Sequence, residues 1–79
     1  MPERDSEEEE LDVSGLLCPL PVLKARKRLE AMTTGNVLRV IATDPMAATD
    51  MAHFCAEQGH ALLEQSAAGR AVVFRIRCK

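Results

Sequence analysis

Apolar residues recur along this chain of 79 residues in four short runs and in two stripes with helical spacing. The four runs are rich in aliphatic and β-branched side chains or alternate between apolar and polar positions, and both patterns are typical of strands. Alternation is clearest near the C-terminus, where Val72, Phe74 and Ile76 lie on one side. The predicted strands are residues 11–13, 37–43, 61–66 and 71–77.

The two stripes predict two amphipathic helices, the first over residues 19–32 and the second over residues 45–58. Asp44 is predicted to cap the start of the second helix, and Gly35 and Gly59 are predicted to end the helices in a left-handed conformation. The apolar faces consist of Val22, Ala25, Leu29 and Met32 in the first helix and of Ala47, Ala48, Met51, Phe54 and Cys55 in the second.

The resulting element order is β-α-β-α-β-β. A connection through a helix favours parallel, right-handed neighbouring strands, and the last two strands can form a hairpin. Two helices are too few to cover both faces of a four-stranded sheet. The sequence therefore predicts an α/β (α+β) fold: a two-layer βαβαββ sandwich with a four-stranded mixed sheet and both helices on one face.

Charge is distributed unevenly along the chain. Residues 1–9 are strongly acidic and contain nothing to bury, so they are predicted to form a disordered acidic tail ahead of a domain at residues 10–79. The whole chain has a net charge of -2, so the remainder is mildly basic. This balance, together with the absence of Trp and Tyr, argues against direct nucleic-acid binding.

Three features indicate a cytoplasmic protein. No run approaches the roughly 20 apolar residues of a membrane helix. The N-terminal MPERDSEEEE lacks the basic start and apolar run of a signal peptide. The three cysteines form no Cys-x-x-Cys pair, which fits a reducing compartment. We expect a monomer, because two helices covering one sheet leave no apolar stripe over.

Cys18 stands where the first helix should begin, in the segment GLLCPLP. Pro19 is predicted at the first helical position and Pro21 in the first turn, where a missing N–H costs little. Both prolines would hold Cys18 at the positive end of the helix, which favours an anion, so we expect a lowered pKa and a reactive thiolate. A basic helix face formed by Lys24, Lys27 and Arg28 adds positive potential and is the predicted docking surface for partner proteins.

The residues around Cys18 narrow the chemistry. A cysteine hydrolase needs a base beside the thiol, and His53 and His60 form no recognisable triad with Cys18. The sequence contains no Cys-x-x-Cys pair, phosphate-binding loop or dinucleotide motif. The chemistry that remains is a thiolate that accepts a group and passes it on, and a persulfide carrier fits this description. His53 and Cys55 face apart on a helix and predict no metal site.

Two alternatives stay open from these residues. Cys18 could be structural, in a regulatory or protein-interaction module that lacks catalysis. Direct RNA binding is permitted by the basic helix but disfavoured by the missing aromatic residues. Cys55 is expected in the core, and Cys78, on the side of Phe74 and Ile76, is a weaker candidate for a second reactive thiol.

Several motifs resemble the TusA (SirA-like) family of sulfur-carrier proteins over residues 11–79. The most specific is Cys-Pro-x-Pro, here residues 18–21, after a Gly-Leu segment and before a basic helix; Asp44-Pro45 after the second strand is the second marker. The resemblance implies a βαβαββ sandwich and a persulfide on Cys18. It implies a cysteine desulfurase or rhodanese as sulfur donor, a thiol protein as acceptor, and no metal or organic cofactor.

In such a family the relay serves 2-thiouridine formation in tRNA, molybdenum-cofactor enzymes or sulfur oxidation. Leu20 lies between the two prolines, where well-known tRNA-thiolation members carry an acidic residue. Ala52 stands where a proline is often found, and the acidic tail is not part of the family pattern.

Overall fold

Residues 8–79 are described by a computed structural model of the chain, and they form four strands and two helices in the predicted order. Neither helix within this range is long and apolar enough to cross a membrane. The strands are β1 (Glu8–Asp12), β2 (Val37–Ala42), β3 (Ala61–Ala68) and β4 (Ala71–Arg77), and the helices are α1 (Leu20–Glu30) and α2 (Ala47–Gln58).

The four strands form one mixed sheet in the order β1-β2-β4-β3. β1 and β2 are parallel, as the helical connection between them predicts, whereas β4 is antiparallel to both β2 and β3. β3 was expected beside β2, but β4 lies between them. β4 is the more apolar strand of the hairpin, with Phe74 and Ile76 fully buried, so the central position removes more apolar surface from water.

The core lies between the sheet and the two helices, which pack on the same face. Buried sheet residues such as Leu38, Val40 and Phe74 contact buried helix residues such as Leu29 and Met51. The predicted stripes supply this core, with Val22, Met32 and Ala48 partly buried at its margin. The predicted α+β sandwich is therefore confirmed.

β1 begins earlier than the acidic composition of its segment suggested. Glu8 and Glu9, assigned to the predicted tail, lie in this strand, and residues 1–7 fall outside the described range. Arginines receive the acidic side chains: Arg75 pairs with Glu8 at 3.1 Å, Arg39 with Glu10 at 3.3 Å and Arg28 with Glu9 at 3.2 Å. Cross-strand pairs of opposite charge stabilise an acidic edge strand that would otherwise repel itself.

The helix ends differ from the predictions in three places. Pro19 is the N-cap of α1 and not its first residue. Met46 is the N-cap of α2, so Asp44 does not cap this helix. Gly59 ends α2 with a φ of 83°, as predicted, whereas α1 ends at Ala31, four residues before Gly35.

Candidate functional site

The loop that carries Cys18 is pinned to the carboxyl end of β2. Val13 donates its backbone N–H to the Ile41 carbonyl at 2.8 Å, and Gly15 donates to Thr43 Oγ1 at 2.8 Å. Cys18 donates its own N–H to Asp44 Oδ2 at 2.8 Å. The position of Cys18 is therefore fixed relative to the sheet.

Asp44 holds this loop against the turn that precedes α2. It is only 8% exposed, and its second oxygen, Oδ1, accepts the Met46 N–H at 3.2 Å. The residue predicted as a helix cap thus joins two loops through one buried carboxylate. Buried carboxylates persist when backbone donors satisfy them, as here.

The start of α1 offers a thiolate fewer hydrogen bonds than its helical position suggested. The Cys18 N–H is donated to Asp44, the Leu20 N–H is donated to the Leu17 carbonyl at 2.9 Å, and Pro19 and Pro21 have no N–H. Four consecutive residues therefore present no free backbone donor, although free N–H groups are what attract an anion to a helix start. The Cys18–Pro19 peptide bond is cis.

Two aspartates set the acidity of the Cys18 thiol. Interaction of the thiol with the Asp50 carboxylate raises the pKa of Cys18 most, and desolvation and the negative charges of Asp50 and Asp44 act in the same direction. The expected lowering of this pKa was wrong. The prolines remove the donors that would stabilise a thiolate, and the carboxylates disfavour a second negative charge.

Cys18 lies in an open groove of about 390 Å³ between α1 and α2. Apolar and charged side chains share its walls, and Arg26 and His53 are the basic side chains among them. Residues 8–79 bring no three His, Cys, Asp or Glu side chains together in a way that would hold a metal ion. The lining consists of Cys18, Pro19, Val22, Leu23, Arg26, Thr49, Asp50, His53, Phe54, Glu57 and Gln58.

An apolar rim of four exposed side chains lies along the Cys18 loop and its groove. Leu17 is 64% exposed and Leu20 44%, one on each side of the Cys18-Pro19 pair. Leu23, at 49%, lines the groove, and Met46, at 50%, is joined to the Cys18 loop through Asp44. Exposed large apolar side chains that lie together are typical of protein-binding sites, and the expected monomeric state stays a prediction.

The predicted docking residues lie on the other side of α1. Lys24, Lys27 and Arg28 line a separate groove of about 350 Å³ together with Leu11 and Ala31. The structure therefore does not bring these three cations into the Cys18 groove, and we refer to their groove as the basic groove.

The other two cysteines are buried. Cys55 is 3% exposed in α2, and burial raises its pKa to about 11. Cys78 is 6% exposed, and its Sγ donates to the Leu29 carbonyl at 3.5 Å, so it does not lie at a frayed chain end. Cys18 is the exposed thiol among residues 8–79.

Asp50 is the site residue that the sequence analysis missed. Asp50, His53 and Glu57 have the i, i+3, i+7 spacing of one helix face, beside the apolar stripe of α2. This polar stripe could have indicated a polar site on α2. Whether the stripe faces the Cys18 groove depends on how α2 packs beside α1.

Comparison with known proteins supports the family resemblance that the Cys-Pro-x-Pro motif indicated. A model of the family described as sulfurtransferase TusA matches residues 9–78. The sulfur carrier protein TusA of Allochromatium vinosum is 47% identical over 70 residues, which cover 89% of this chain and 92% of that protein. The sulfur carrier protein TusA of Pseudomonas entomophila is 42% identical over 69 residues, covering 87% and 86%.

The fold is also found in a solved structure. The crystal structure of the SirA-like protein from Desulfitobacterium hafniense superposes with a TM-score of 0.77 at 21% identity, covering 86% of this chain and 93% of that one. The resemblance indicated by the Cys-Pro-x-Pro motif and the Asp44-Pro45 marker is thus confirmed. The chain belongs to the TusA family of sulfurtransferases and sulfur carrier proteins.

Proposed function

We propose that this protein is a sulfur carrier that receives sulfur on Cys18 as a persulfide and passes it to the thiol of an acceptor protein. The observation that carries the proposal is the contrast among the three cysteines: Cys18 is exposed on a fixed loop at the mouth of a groove, whereas Cys55 and Cys78 are buried. In this role the protein acts as a sulfurtransferase, with its own cysteine as the intermediate.

The transfer is an exchange at sulfur. The Cys18 sulfur attacks the outer sulfur of the donor persulfide, a new S–S bond forms, and the S–S bond within the donor breaks. The donor cysteine leaves as a thiolate and takes up the proton that Cys18 loses. The number of S–S bonds does not change, so the step needs no oxidant, and the same exchange then moves the sulfur to the acceptor.

Exposure of Cys18 argues against the alternative in which this cysteine is structural. A structural cysteine is a small buried hydrophobe, as Cys55 is. Cys18 donates its backbone N–H to Asp44, and its side chain lines an open groove that it shares with Asp50.

Two surfaces suit the partners of a relay. The apolar rim of Leu17, Leu20, Leu23 and Met46 is exposed and can pack against a donor or acceptor enzyme. The basic groove, with Lys24, Lys27 and Arg28, can attract and orient an acidic partner from a greater distance.

The proposed donor is a cysteine desulfurase or a rhodanese, and the acceptor is a thiol protein of tRNA thiolation, molybdenum-cofactor enzymes or sulfur oxidation. The proposed compartment is the cytoplasm, where thiols stay reduced. No direct nucleic-acid contact, metal or organic cofactor is part of the proposal.

Intact-protein mass spectrometry tests the loading step. The protein is incubated with a cysteine desulfurase and cysteine, or with a rhodanese and thiosulfate, and peptide mapping locates any added sulfur. We expect one added sulfur on Cys18 that reductant removes. Cys18→Ser should abolish loading, because the hydroxyl cannot form a persulfide.

Cys78→Ser is the matched control, since it removes a buried thiol from the same small domain. This variant should load like the wild type after circular dichroism has confirmed its fold. Loading on Cys55 or Cys78, loading of the Cys18→Ser variant, or no loading from either donor would refute the proposal.

A further inference from the structure

Asp50 projects into the Cys18 groove from the first turn of α2, and the mechanism above gives it no role. It is half-buried and lines the same groove as Cys18, where its carboxylate raises the pKa of the Cys18 thiol. Within residues 8–79 no Lys, Arg or His side chain forms an ion pair with it. The carboxylate is therefore available to a charged group from outside.

Asp44 does not share this freedom. It is 8% exposed, and both of its oxygens accept backbone N–H groups, from Cys18 and from Met46. A group entering the groove would have to break these bonds to reach it. Asp50 is thus the carboxylate beside Cys18 that an incoming side chain can engage.

The charged groups facing Cys18 are few. From the α2 side they are Asp44, Asp50, His53 and Glu57, and from α1 there is Arg26. Both basic members already have carboxylate neighbours, because Arg26 contacts Glu30 and His53 contacts Glu57, each at 3.3 Å. Together with the absence of free N–H groups at residues 18–21, this leaves the thiol in surroundings that keep it protonated.

We propose that Asp50 is a positioning residue that holds the Cys18 thiol in its protonated form in the free protein, and that a cationic side chain of the sulfur donor pairs with Asp50 and releases the thiolate. The proposal rests on the sulfur-carrier function above. Cys18 then reacts with the donor persulfide as described there, and its proton ends on the donor cysteine that leaves.

With Asp50 in this role, the Cys18 thiol is exposed to solvent without being highly reactive. Cys18 is open to solvent, so any oxidant or electrophile can reach it, but the thiol is a much weaker nucleophile than the thiolate. Coupling ionisation to a partner's cation restricts fast chemistry to the docked complex. Complementary charge at an interface favours the correct partner in this way.

Alkylation by iodoacetamide measures the first half of the proposal without any donor. The rate of Cys18 alkylation is measured as a function of pH in the wild type and in variants that keep Cys18. Asp50→Asn should move the profile to lower pH and speed alkylation at neutral pH several-fold, because the amide cannot hold the thiol proton as a carboxylate does. Asp50→Glu should retain most of the wild-type profile.

Glu57→Gln is the matched control. It removes one negative charge from the same helix and the same groove, but Glu57 does not act on the Cys18 thiol. We expect its profile to match that of the wild type. An unchanged profile in Asp50→Asn, or an equal shift in Glu57→Gln, would overturn the assigned role of Asp50.

The second half of the proposal is measured with a cysteine desulfurase and cysteine as the sulfur source. Asp50→Asn should raise the KM for the desulfurase several-fold while its free thiol reacts faster with iodoacetamide. An unchanged KM would overturn the pairing with a donor cation. If the wild-type protein accepts no sulfur, the sulfur-carrier function fails, whereas the alkylation profile still decides whether Asp50 controls the thiol.

Discussion

The two grooves on either side of α1 differ in charge and in chemistry. The groove toward α2 holds Cys18 with Asp50 and Glu57 and has an apolar rim. The basic groove toward β1 holds Lys24, Lys27 and Arg28 and contains no thiol. One helix therefore separates the reacting sulfur from the cations that were expected to assist it.

This difference shows why a basic helix does not by itself activate a neighbouring cysteine. Opposite faces of one helix lead to different grooves, and charges exposed to solvent are screened over roughly 10 Å. The carboxylates that raise the pKa of Cys18 belong to Asp50 of α2 and to Asp44 in the turn before it. Lys24, Lys27 and Arg28 are better placed to attract a partner than to lower the pKa of the thiol.

The largest expected effect concerns the two hydrogen bonds by which Asp44 holds the Cys18 loop against the turn before α2. Asp44→Ala leaves the N–H groups of Cys18 and Met46 without their acceptor, so we expect a loss of about 2–3 kcal/mol in the free energy of unfolding. Urea denaturation measures this loss. Glu9→Gln is the control on the basic side, where the half-exposed pair with Arg28 should contribute less than about 1 kcal/mol. Equal losses in the two variants would contradict the structural role of Asp44.

The next effect concerns docking at the apolar rim. Leu23→Asp should raise the KM for the desulfurase about tenfold, which is the size expected when an apolar interface contact is lost. Leu63→Asp is the control, because Leu63 is similarly exposed, at 42%, but lies in β3 and not at the rim. Steady-state loading kinetics measure both variants. A similar rise in KM for the Leu63→Asp control would mean that the rim has no special part in docking.

The smallest effect is expected at the basic groove. The double charge reversal Lys24→Glu with Lys27→Glu should slow association with the partner by about threefold to tenfold at low salt, and the difference should shrink as salt is added. Stopped-flow measurements at several salt concentrations test this expectation. Alkylation of Cys18 should not change in this variant. A shift of the alkylation profile would show that the two grooves are electrostatically coupled after all.

The sequence was sufficient for most of the fold. Apolar periodicity located both helices and β2, β3 and β4, although β3 proved longer than predicted. The Cys-Pro-x-Pro motif and the Asp44-Pro45 marker identified the family, and the pattern around Cys55 placed that residue in the core. These features depend on local spacing and side-chain type, which can be read without knowing the neighbours.

β1 shows where local pattern was not sufficient. Its sequence, EEELD, has the composition of a solvated tail, yet its backbone pairs in parallel with β2, and Arg39 and Arg75 form ion pairs with Glu10 and Glu8. These arginines lie about 30 and 70 residues away along the chain. Local sequence patterns cannot predict ion-pair partners that are so far apart along the chain.

The acidity of Cys18 shows the same limit. The sequence alone determined that a cysteine stands at a helix start ahead of two prolines, and that a domain of this kind forms around it. Only the tertiary structure decided that β4 lies between β2 and β3, that Lys24, Lys27 and Arg28 line a different groove from the thiol, and that Asp44 and Asp50 lie beside it. The reason is physical: spacing along the chain fixes which face of a helix a side chain occupies, whereas the packing of one element against another decides which charges meet across a groove.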